Sequence, residues 1–147
     1  MIEISNNQFF TDVIRHINDG KNVKIRAKGF SMLPLIRQNK DVIILSPLQS
    51  SSLQPRKIIL AYIPNKQGYI LHRIEKIDGN KIILRGDGNV WGREICSQSD
   101  ALAEARAIIR GKKIISDQSI WWKFIAFFWP KISFFRRVLL FPIRRLM

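Results

Sequence analysis

Three side chains in this sequence are of the types that cooperate in hydrolysis, and they occur in a suitable order. Ser31 comes first, His72 follows and Asp87 comes last, each within a short segment marked by glycine or aromatic residues. A serine hydroxyl is a weak nucleophile unless a base accepts its proton, and a carboxylate can hold an imidazole and stabilise its protonated form. A hydroxyl, an imidazole and a carboxylate are the ingredients of a serine hydrolase, so a protease is the first hypothesis.

The residues around Ser31 suit a nucleophile. Gly29 permits a close approach of the backbone, and Pro34 can fix the chain just after the serine. The backbone amide of Ser31 is then available as a donor to the oxyanion that forms when the hydroxyl attacks a carbonyl. The alternative is an ordinary turn, because glycine, serine and proline at these spacings are also frequent in turns.

His72 lies in a run of alternating type, so on a strand its ring shares a face with Ile70 and Ile74. An imidazole among apolar side chains is partly desolvated, which keeps it neutral and able to accept a proton. The alternative is a histidine that packs in the core without chemistry. His16, by contrast, has no motif around it and is interpreted as a surface or packing residue.

Two interpretations of Asp87 stay open. In one, its carboxylate holds the tautomer of the imidazole and stabilises the imidazolium. In the other, its segment of glycine, aspartate and asparagine is a tight turn, and the carboxylate caps loop amides or pairs with Arg73 or Arg85.

Taken together, the three segments resemble the signal peptidase I superfamily, in the branch that uses a serine and a histidine. The resemblance covers about residues 25 to 90. It implies an antiparallel β-barrel-like domain of the signal peptidase and LexA type, with Ser31 as nucleophile, His72 as general base and Asp87 as the third, orienting residue. The matching residues are Gly29, Ser31, Met32, Pro34, Ile36, Asp41 and Val42, then His72, Arg73 and Ile74, and finally Gly86, Asp87, Gly88 and Asn89.

The resemblance also implies a substrate. Members of this superfamily cleave exposed peptide segments that bind as an added β-strand. Bacterial-type signal peptidases and LexA-type proteins use a lysine base at about the place of His72; Lys57, Lys66 and Lys76 are alternative bases, but none lies in the expected string. The chain is most similar to short, anchorless bacterial members, so we expect it to process a peptide or leader rather than ordinary signal peptides.

Composition limits the other classes of function. The 147 residues suit one compact core, and 25 basic against 11 acidic residues give a net charge of +14, which favours anionic partners. A single cysteine, Cys96, excludes an internal disulfide, and it forms no metal-ligand cluster with the two histidines. We therefore expect neither a metal nor another cofactor. The N-terminus lacks the pattern of a signal peptide, which predicts that the chain stays on the cytoplasmic side.

The periodicity of apolar residues changes twice along the chain. Residues 5 to 19 have helical spacing, with Gly20 as the stop. The chain then alternates short apolar runs with turns, among them a hairpin turn at Asp78-Gly79-Asn80, and it includes a loop over residues 46–55. We predict a mainly β, barrel-like peptidase domain over residues 1–117, with strands at 23–27, 42–45, 58–63, 69–77, 81–85 and 107–115, the last of which Gly111-Lys112 could divide.

The C-terminal segment, residues 118–147, differs in composition from the rest. It contains six basic and no acidic residues and is rich in tryptophan and phenylalanine, but its charged residues and Pro130 interrupt every apolar run. Such a sequence is typical of an amphipathic helical tail that lies in the headgroup layer of an anionic membrane, here through residues 119–147. We expect peripheral association with the cytoplasmic face of a bacterial membrane. The alternatives are a helix that packs on the β domain or on a partner, and a tilted or re-entrant hairpin.

The leading hypothesis is a serine endopeptidase of signal peptidase type that acts through an acyl-enzyme on Ser31. The alternative is a catalytically silent β-rich module that docks on membranes or binds peptides. Nucleic-acid binding would suit the net charge, but the chain has no recognisable motif for reading a groove or stacking bases, so we expect it least.

Overall fold

The computed structural model describes residues 6–26, 32, 35–36, 40–87 and 92–129 of the chain. Two α-helices and eight β-strands lie within these residues, together with short 3-10 turns at Pro64–Lys66 and Gln98–Asp100. In chain order the elements are α1 (Asn6–Asn18), β1 (Val23–Arg26), β2 (Asp41–Ser46), β3 (Ile58–Ile63), β4 (Gly68–Asp78), β5 (Lys81–Arg85), β6 (Glu94–Ser97), β7 (Ala101–Arg110), β8 (Lys113–Ser116) and α2 (Ile120–Phe128).

The strands form one antiparallel sheet, curled into a half-barrel. The order of strands is β1-β2-β7-β3-β4-β5-β6, and β8 pairs with β7. Strand β6 is three strands away from β3 in this order, yet Cα atoms of the two strands approach within 8 Å. That return is the curl of the sheet, and it brings side chains of β4 and β6 together on the inside. The prediction of a mainly β, antiparallel, barrel-like domain is confirmed at this level.

Most element predictions are also confirmed. Helix α1 and strands β1 to β5 coincide with the predicted segments to within one residue at each end. The hairpin turn between β4 and β5 is present: Asp78 pairs with Lys81, and Gly79 supplies the positive φ of 58° that the turn requires. The turn that Gly111-Lys112 could form within the apolar run at 107–115 is present: β7 ends at Arg110, Gly111 turns the chain at φ 65°, and β8 returns along β7.

Two β segments were not predicted, for compositional reasons. Strand β6 has only two apolar residues, Ile95 and Cys96, between Glu94 and Ser97, so no apolar run distinguishes it from a loop. The first half of β7 consists largely of alanine and glutamate, residues with low strand propensity. Pairing with β2 and β3 on its two sides holds this half in the sheet nonetheless. Burial between neighbouring strands therefore outweighs the local preference of the residues.

Two apolar clusters hold the sheet and helices together. We call them the first and the second cluster, and they lie on opposite faces of β3. The second cluster lies between β3, β4, β5 and β6 and includes Ile59, Ile74, Ile82 and Cys96. The first lies on the other face of β3 and is covered by both helices; its members are Val13 and Ile17 of α1, Trp122, Ile125 and Trp129 of the C-terminal segment, and Met32, Leu35, Ile36, Ile25, Ile43, Leu45, Ile58, Leu60, Ala103, Ala105, Ile108 and Ile115.

Helix α2 lies at the start of the predicted tail and packs on the sheet by one face. Ser119 is its N-cap, with the side-chain oxygen accepting a hydrogen bond from the Trp122 amide at 3.2 Å. Trp122 and Ile125 are buried in the first cluster, whereas Trp121 and Phe124 are exposed. Packing on the β domain was one alternative for the tail, and α2 adopts it through this face. Residues 130–147 lie outside the described residues, so the division at 117/118 and membrane association stay predictions.

Neither helix in the described part of the chain is long and apolar enough to cross a membrane.

The two adjacent tryptophans of α2 provide a test of this packing. Trp122 is 4% exposed and Trp121 is 44% exposed. Trp122→Ala should lower the free energy of unfolding by about 3–5 kcal/mol, because it leaves a large cavity in the first cluster. Trp121→Ala should lower it by less than about 1 kcal/mol. Urea unfolding followed by circular dichroism measures both, and equal losses would contradict the packing of α2.

Candidate active site

Of the three residues predicted to do chemistry, the structure describes His72 and Asp87. Ser31 lies outside the described residues. The residues that follow it, Met32, Leu35 and Ile36, are buried in the first apolar cluster, and the amide of Ile36 donates a hydrogen bond to the carbonyl of Met32 at 3.0 Å. The segment after Ser31 is thus anchored in the core, while the position of the hydroxyl relative to His72 stays a prediction.

His72 is held in the middle of β4, where it pairs with Ile59 of β3. Its side chain is only 6% exposed and shares the face of Ile70 and Ile74, which pack in the second cluster, as the alternation in the sequence predicts. Burial lowers the pKa of His72 below its ordinary value of 6.5, because the charged imidazolium loses solvation. The neutral ring, which is the form that can accept a proton, is therefore favoured.

Glu94 is the acidic residue nearest to this ring in the described structure, and the sequence interpretation missed it. Its Oε2 atom lies 4.0 Å from Nδ1 of His72, and both side chains are 6% exposed. Among the described residues neither of these two atoms has a hydrogen-bond partner. Two buried polar atoms that face each other in this way are a pair ready to interact when the imidazole gains a charge.

Lys66 supplies the counter-charge for Glu94. Its Nζ lies 2.5 Å from Oε1 of Glu94, on the side of the carboxylate that does not face His72. The negative charge of Glu94 raises the pKa of His72, and the positive charge of Lys66 lowers it, although burial remains the largest influence. The buried carboxylate of Asp87 also raises this pKa, by less than the other influences, so the ring is tuned by two buried anions and one cation at the surface.

None of the three lysines considered as alternative bases has the environment that a lysine base requires. Lys66 is 60% exposed and paired with Glu94, Lys57 lies 3.7 Å from Glu104, and Lys76 is exposed. A lysine base must be desolvated to lose its proton at neutral pH. His72 is the better candidate in the described part of the chain. Cys96 is not a nucleophile either, because burial raises the pKa of its thiol to about 11.

Asp87 is bound by Arg73, the residue next to His72. The guanidinium donates through Nε to Oδ1 at 2.8 Å and through Nη2 to Oδ2 at 2.7 Å, and both side chains are almost fully buried. Its third nitrogen, Nη1, donates to the carbonyl of Arg56 at 2.7 Å. Pairing with Arg73 was one of the two interpretations of Asp87, and the structure contains it. Among the described residues Nδ1 of His72 donates no hydrogen bond to Asp87, and a catalytic role for Asp87 stays a prediction.

The backbone of Asp87 also connects the site to the C-terminal segment. Nε1 of Trp129 donates a hydrogen bond of 2.6 Å to the carbonyl oxygen of Asp87. The turn after β5 is therefore tied to β4 through Arg73 and to the end of α2 through Trp129. Strand β4 is consequently fixed next to His72 by the hydrogen bonds of Arg73 as well as by apolar packing.

The sequence contains a weak signal for Glu94. It is the only acidic residue between Asp87 and Asp100, and it alternates with Cys96 so that both point to the inside of the sheet. Recognising its role requires knowing that β6 returns towards β4, which local pattern does not reveal. Among the described residues no group of histidine, cysteine, aspartate and glutamate side chains could hold a metal ion.

The arrangement can therefore hold a neutral imidazole and stabilise it once protonated. A carboxylate about 4 Å from an imidazolium in a partly desolvated site attracts it by several kcal/mol before the loss of solvation is counted.

No protein-family model matches this chain, and no curated protein matches it. The resemblance to signal peptidases accordingly rests on the residues quoted above.

Two substitutions that should shift the pKa of His72 in opposite directions test the electrostatic environment of its ring. Glu94→Gln should lower the pKa of His72 further, because it removes the anion that favours the imidazolium. Lys66→Met should raise this pKa, because it removes a repelling cation. NMR titration of the ring resonances measures both, with His16 assigned by difference.

The matched control for this titration is Glu75→Gln, which removes a carboxylate on β4 that pairs with Arg93 and is absent from the influences on His72. Shifts of His72 in the same direction for Glu94→Gln and Lys66→Met would show that the pair does not tune the ring.

Removal of the charge of Asp87 tests its structural importance. Asp87→Asn leaves the guanidinium of Arg73 buried without its counter-ion, and we expect a loss of about 3–5 kcal/mol in the free energy of unfolding. Asp12→Asn is the control, because Asp12 pairs with Arg15 on the exposed side of α1 and should contribute less than about 1 kcal/mol. Similar small losses for both variants, measured by urea unfolding, would contradict the importance of the buried pair.

Proposed function

We propose that this protein is a serine endopeptidase of signal peptidase type, with a fold of the signal peptidase and LexA kind. The observation that carries the proposal is the environment of His72: a buried imidazole whose pKa is lowered, with a buried carboxylate 4.0 Å from Nδ1. Such a ring is neutral near pH 7 and gains a stabilising partner when it takes up a proton. Those are the two properties that a general base for a serine requires.

The sequence supports the assignment of the nucleophile. Ser31 is the serine that lies in the segment of glycine, methionine and proline resembling the nucleophile segment of the superfamily. Ser52, by comparison, is buried, and its hydroxyl already donates to Glu104 at 2.7 Å and accepts from the amide of Gln49. A serine engaged in this way caps a loop.

The proposed reaction proceeds in two steps. The hydroxyl of Ser31 attacks the carbonyl carbon of the scissile peptide bond while His72 takes its proton, and the amide of Ser31 donates to the oxyanion. The tetrahedral intermediate then expels the amine, which leaves with the proton from His72, so that an ester to Ser31 remains. Water, deprotonated by His72, then attacks this ester, and His72 returns the proton to the departing oxygen of Ser31, so that the carboxylic acid and the free serine are released. The fragment before the cut leaves as an acid and the fragment after it as an amine.

Glu94 is proposed as a positioning residue in this reaction. His72 becomes positively charged each time it takes up a proton, and the carboxylate 4.0 Å from Nδ1 stabilises that charge until the proton is passed on. Asp87 acts more remotely, by binding Arg73 and so fixing the strand that carries His72. This assignment gives the carboxylate of Glu94 the larger electrostatic part, and that of Asp87 a structural part together with a smaller electrostatic influence on His72.

The substrate that suits the proposal is an extended peptide or leader segment. Strand β1 is an edge strand of the described sheet and leads into the segment that carries Ser31, so an extended chain could bind along this edge as an added strand. A folded substrate would not present the main-chain groups that such pairing needs. Cleavage is therefore expected in exposed, unstructured segments.

A second candidate function is a catalytically silent module that docks on membranes. The observation that favours it is the exposed aromatic side chains of α2, which are present whatever Ser31 does. The same surface is compatible with a membrane-associated peptidase. Cleavage assays separate the two functions.

Loss of cleavage on substitution of the nucleophile tests the peptidase. A peptide library derived from a bacterial proteome is incubated with the protein, and new termini are identified by mass spectrometry. Ser31→Ala and His72→Gln should each reduce the rate by at least about 10³-fold, and the double variant should be no slower than either, because the two residues act as a unit. Ser51→Ala, an exposed serine in the loop before β3, is the matched control. Unchanged cleavage by Ser31→Ala, or none by the native protein, would overturn the proposal.

The pH dependence of cleavage has a definite sign. A base is inactive when protonated, and the pKa of His72 lies below 6.5 in the folded protein. The value of kcat/KM should therefore decrease towards acid pH, with the midpoint of this acid limb below pH 6.5. Glu94→Gln should move this limb to lower pH and Lys66→Met to higher pH. Movement of the limb without the corresponding shift of the NMR titration would assign it to a group other than His72.

A further inference from the structure

The outward side of α2 exposes a continuous group of large apolar side chains. Trp121 and Phe124 are 44% and 49% exposed, although their neighbours Trp122 and Ile125 are buried. Positions 120, 121, 124, 127 and 128 follow helical spacing, so these side chains lie along one stripe. We call this stripe the aromatic face, and it consists of Ile120, Trp121, Phe124, Phe127 and Phe128.

The rings of the aromatic face contact one another rather than lying singly. Trp121 is stacked on Phe124 with 6.3 Å between ring centroids, and Phe124 contacts Phe128 at 4.9 Å. Phe127 adds an edge contact with Phe128 at 5.0 Å. Single exposed apolar residues are normal on a protein surface, but a contiguous aromatic patch of this kind marks a contact with another apolar phase or surface.

Basic groups border this patch. Lys123 is exposed on α2 between Trp121 and Phe124 in sequence, and the guanidinium of Arg56 lies 4.9 Å from the ring centroid of Phe127. From Gln118 to Met147 the sequence has six basic and no acidic residues. Large aromatic side chains beside cations, without a compensating acid in the segment, are the chemistry of a surface that contacts anionic phospholipid.

We propose that the aromatic face docks on the surface of an anionic phospholipid membrane. In this arrangement the rings of Trp121 and Phe124 enter the boundary between headgroups and acyl chains, and Lys123 and Arg56 lie at the level of the phosphates. Helix α2 lies in the plane of the membrane, with its other face still packed on the sheet. Docking of this kind is independent of the chemistry of Ser31.

Charge decides between a membrane and the other occupants of such a face. A second copy of the chain would bring together two molecules that each carry a net charge of +14, with lysines adjacent to both patches. Duplex nucleic acid would satisfy the charge, but its bases are stacked on one another, so apolar side chains such as Ile120 and Phe128 would have no apolar partner. An anionic membrane satisfies the rings and the cations at once.

Vesicle binding by the full-length protein tests the proposal. The protein is mixed with vesicles of phosphatidylcholine alone or of phosphatidylcholine with phosphatidylglycerol, and bound protein is measured by co-sedimentation. We expect binding to the anionic vesicles and little to the neutral ones, with affinity that falls as salt is raised. Trp121→Ser/Phe124→Ser should weaken binding by about tenfold or more, because two large apolar side chains are lost from the contact. Lys123→Gln should weaken it roughly fivefold.

The matched control is Ile95→Ser/Ile114→Ser, which removes two apolar side chains of β6 and β8 that are at least as exposed as Trp121 and Phe124. It should bind vesicles as the native protein does, and so should Ser31→Ala, which keeps this test separate from that of the peptidase. Circular dichroism checks that all variants retain the fold.

Three results would overturn the proposal. Equal weakening by the two double variants would mean that exposed apolar area in general is responsible. Equal binding to neutral and anionic vesicles would remove the role of charge. Self-association of the native protein, or binding to duplex DNA, that is abolished by Trp121→Ser/Phe124→Ser while vesicle binding is unchanged would assign the aromatic face to that other occupant.

Discussion

The buried ion pair between Arg73 and Asp87 is the interaction on which the surroundings of His72 depend. Two charges that are almost fully withdrawn from water are stable only when their hydrogen-bonding groups are satisfied. Here the guanidinium makes two hydrogen bonds to the carboxylate and one to the carbonyl of Arg56, and the backbone oxygen of Asp87 accepts from Trp129. The pair therefore joins β4, the segment before β3, the turn after β5 and the end of α2, and it does so one residue from the candidate base.

Strand β4 carries a structural residue and a candidate catalytic residue on opposite faces, because its side chains alternate. Arg73 and His72 are neighbours in sequence and point to opposite faces of β4. Arg73 meets its carboxylate at hydrogen-bonding distance, whereas His72 faces Glu94 across 4.0 Å. The hydrogen-bonded pair of Arg73 and Asp87 favours one rigid geometry. The pair of His72 and Glu94 is not hydrogen-bonded, and its attraction increases when the imidazole is protonated. The two carboxylates thus have different consequences, because Asp87 is hydrogen-bonded to a permanent cation and Glu94 lies 4.0 Å from a ring that is charged only when protonated.

Local sequence was sufficient for much of this structure. The strands rich in isoleucine and valine were predicted almost to the residue, and the face of His72 followed from the alternation of Ile70, His72 and Ile74. Glu94 could not be identified in this way, because its contact with His72 depends on the curl that returns β6 towards β4. The two faces of α2 were equally ambiguous, since tryptophan and phenylalanine occur on both. Only the packing of Trp122 and Ile125 on the sheet distinguishes the buried face from the exposed one.

Helix α2 is folded by its contacts with the sheet, and this has a consequence for any surface that meets it. A free peptide that becomes helical at a surface loses conformational entropy in forming its first turn, and that loss reduces the affinity. In this chain Ser119 already caps the helix and Trp122 already anchors it. The free energy that the outward side chains gain on binding is therefore not reduced by the entropy lost in ordering the backbone. Binding through this helix would be a rigid-body encounter, with little change in circular dichroism, rather than a disorder-to-order transition.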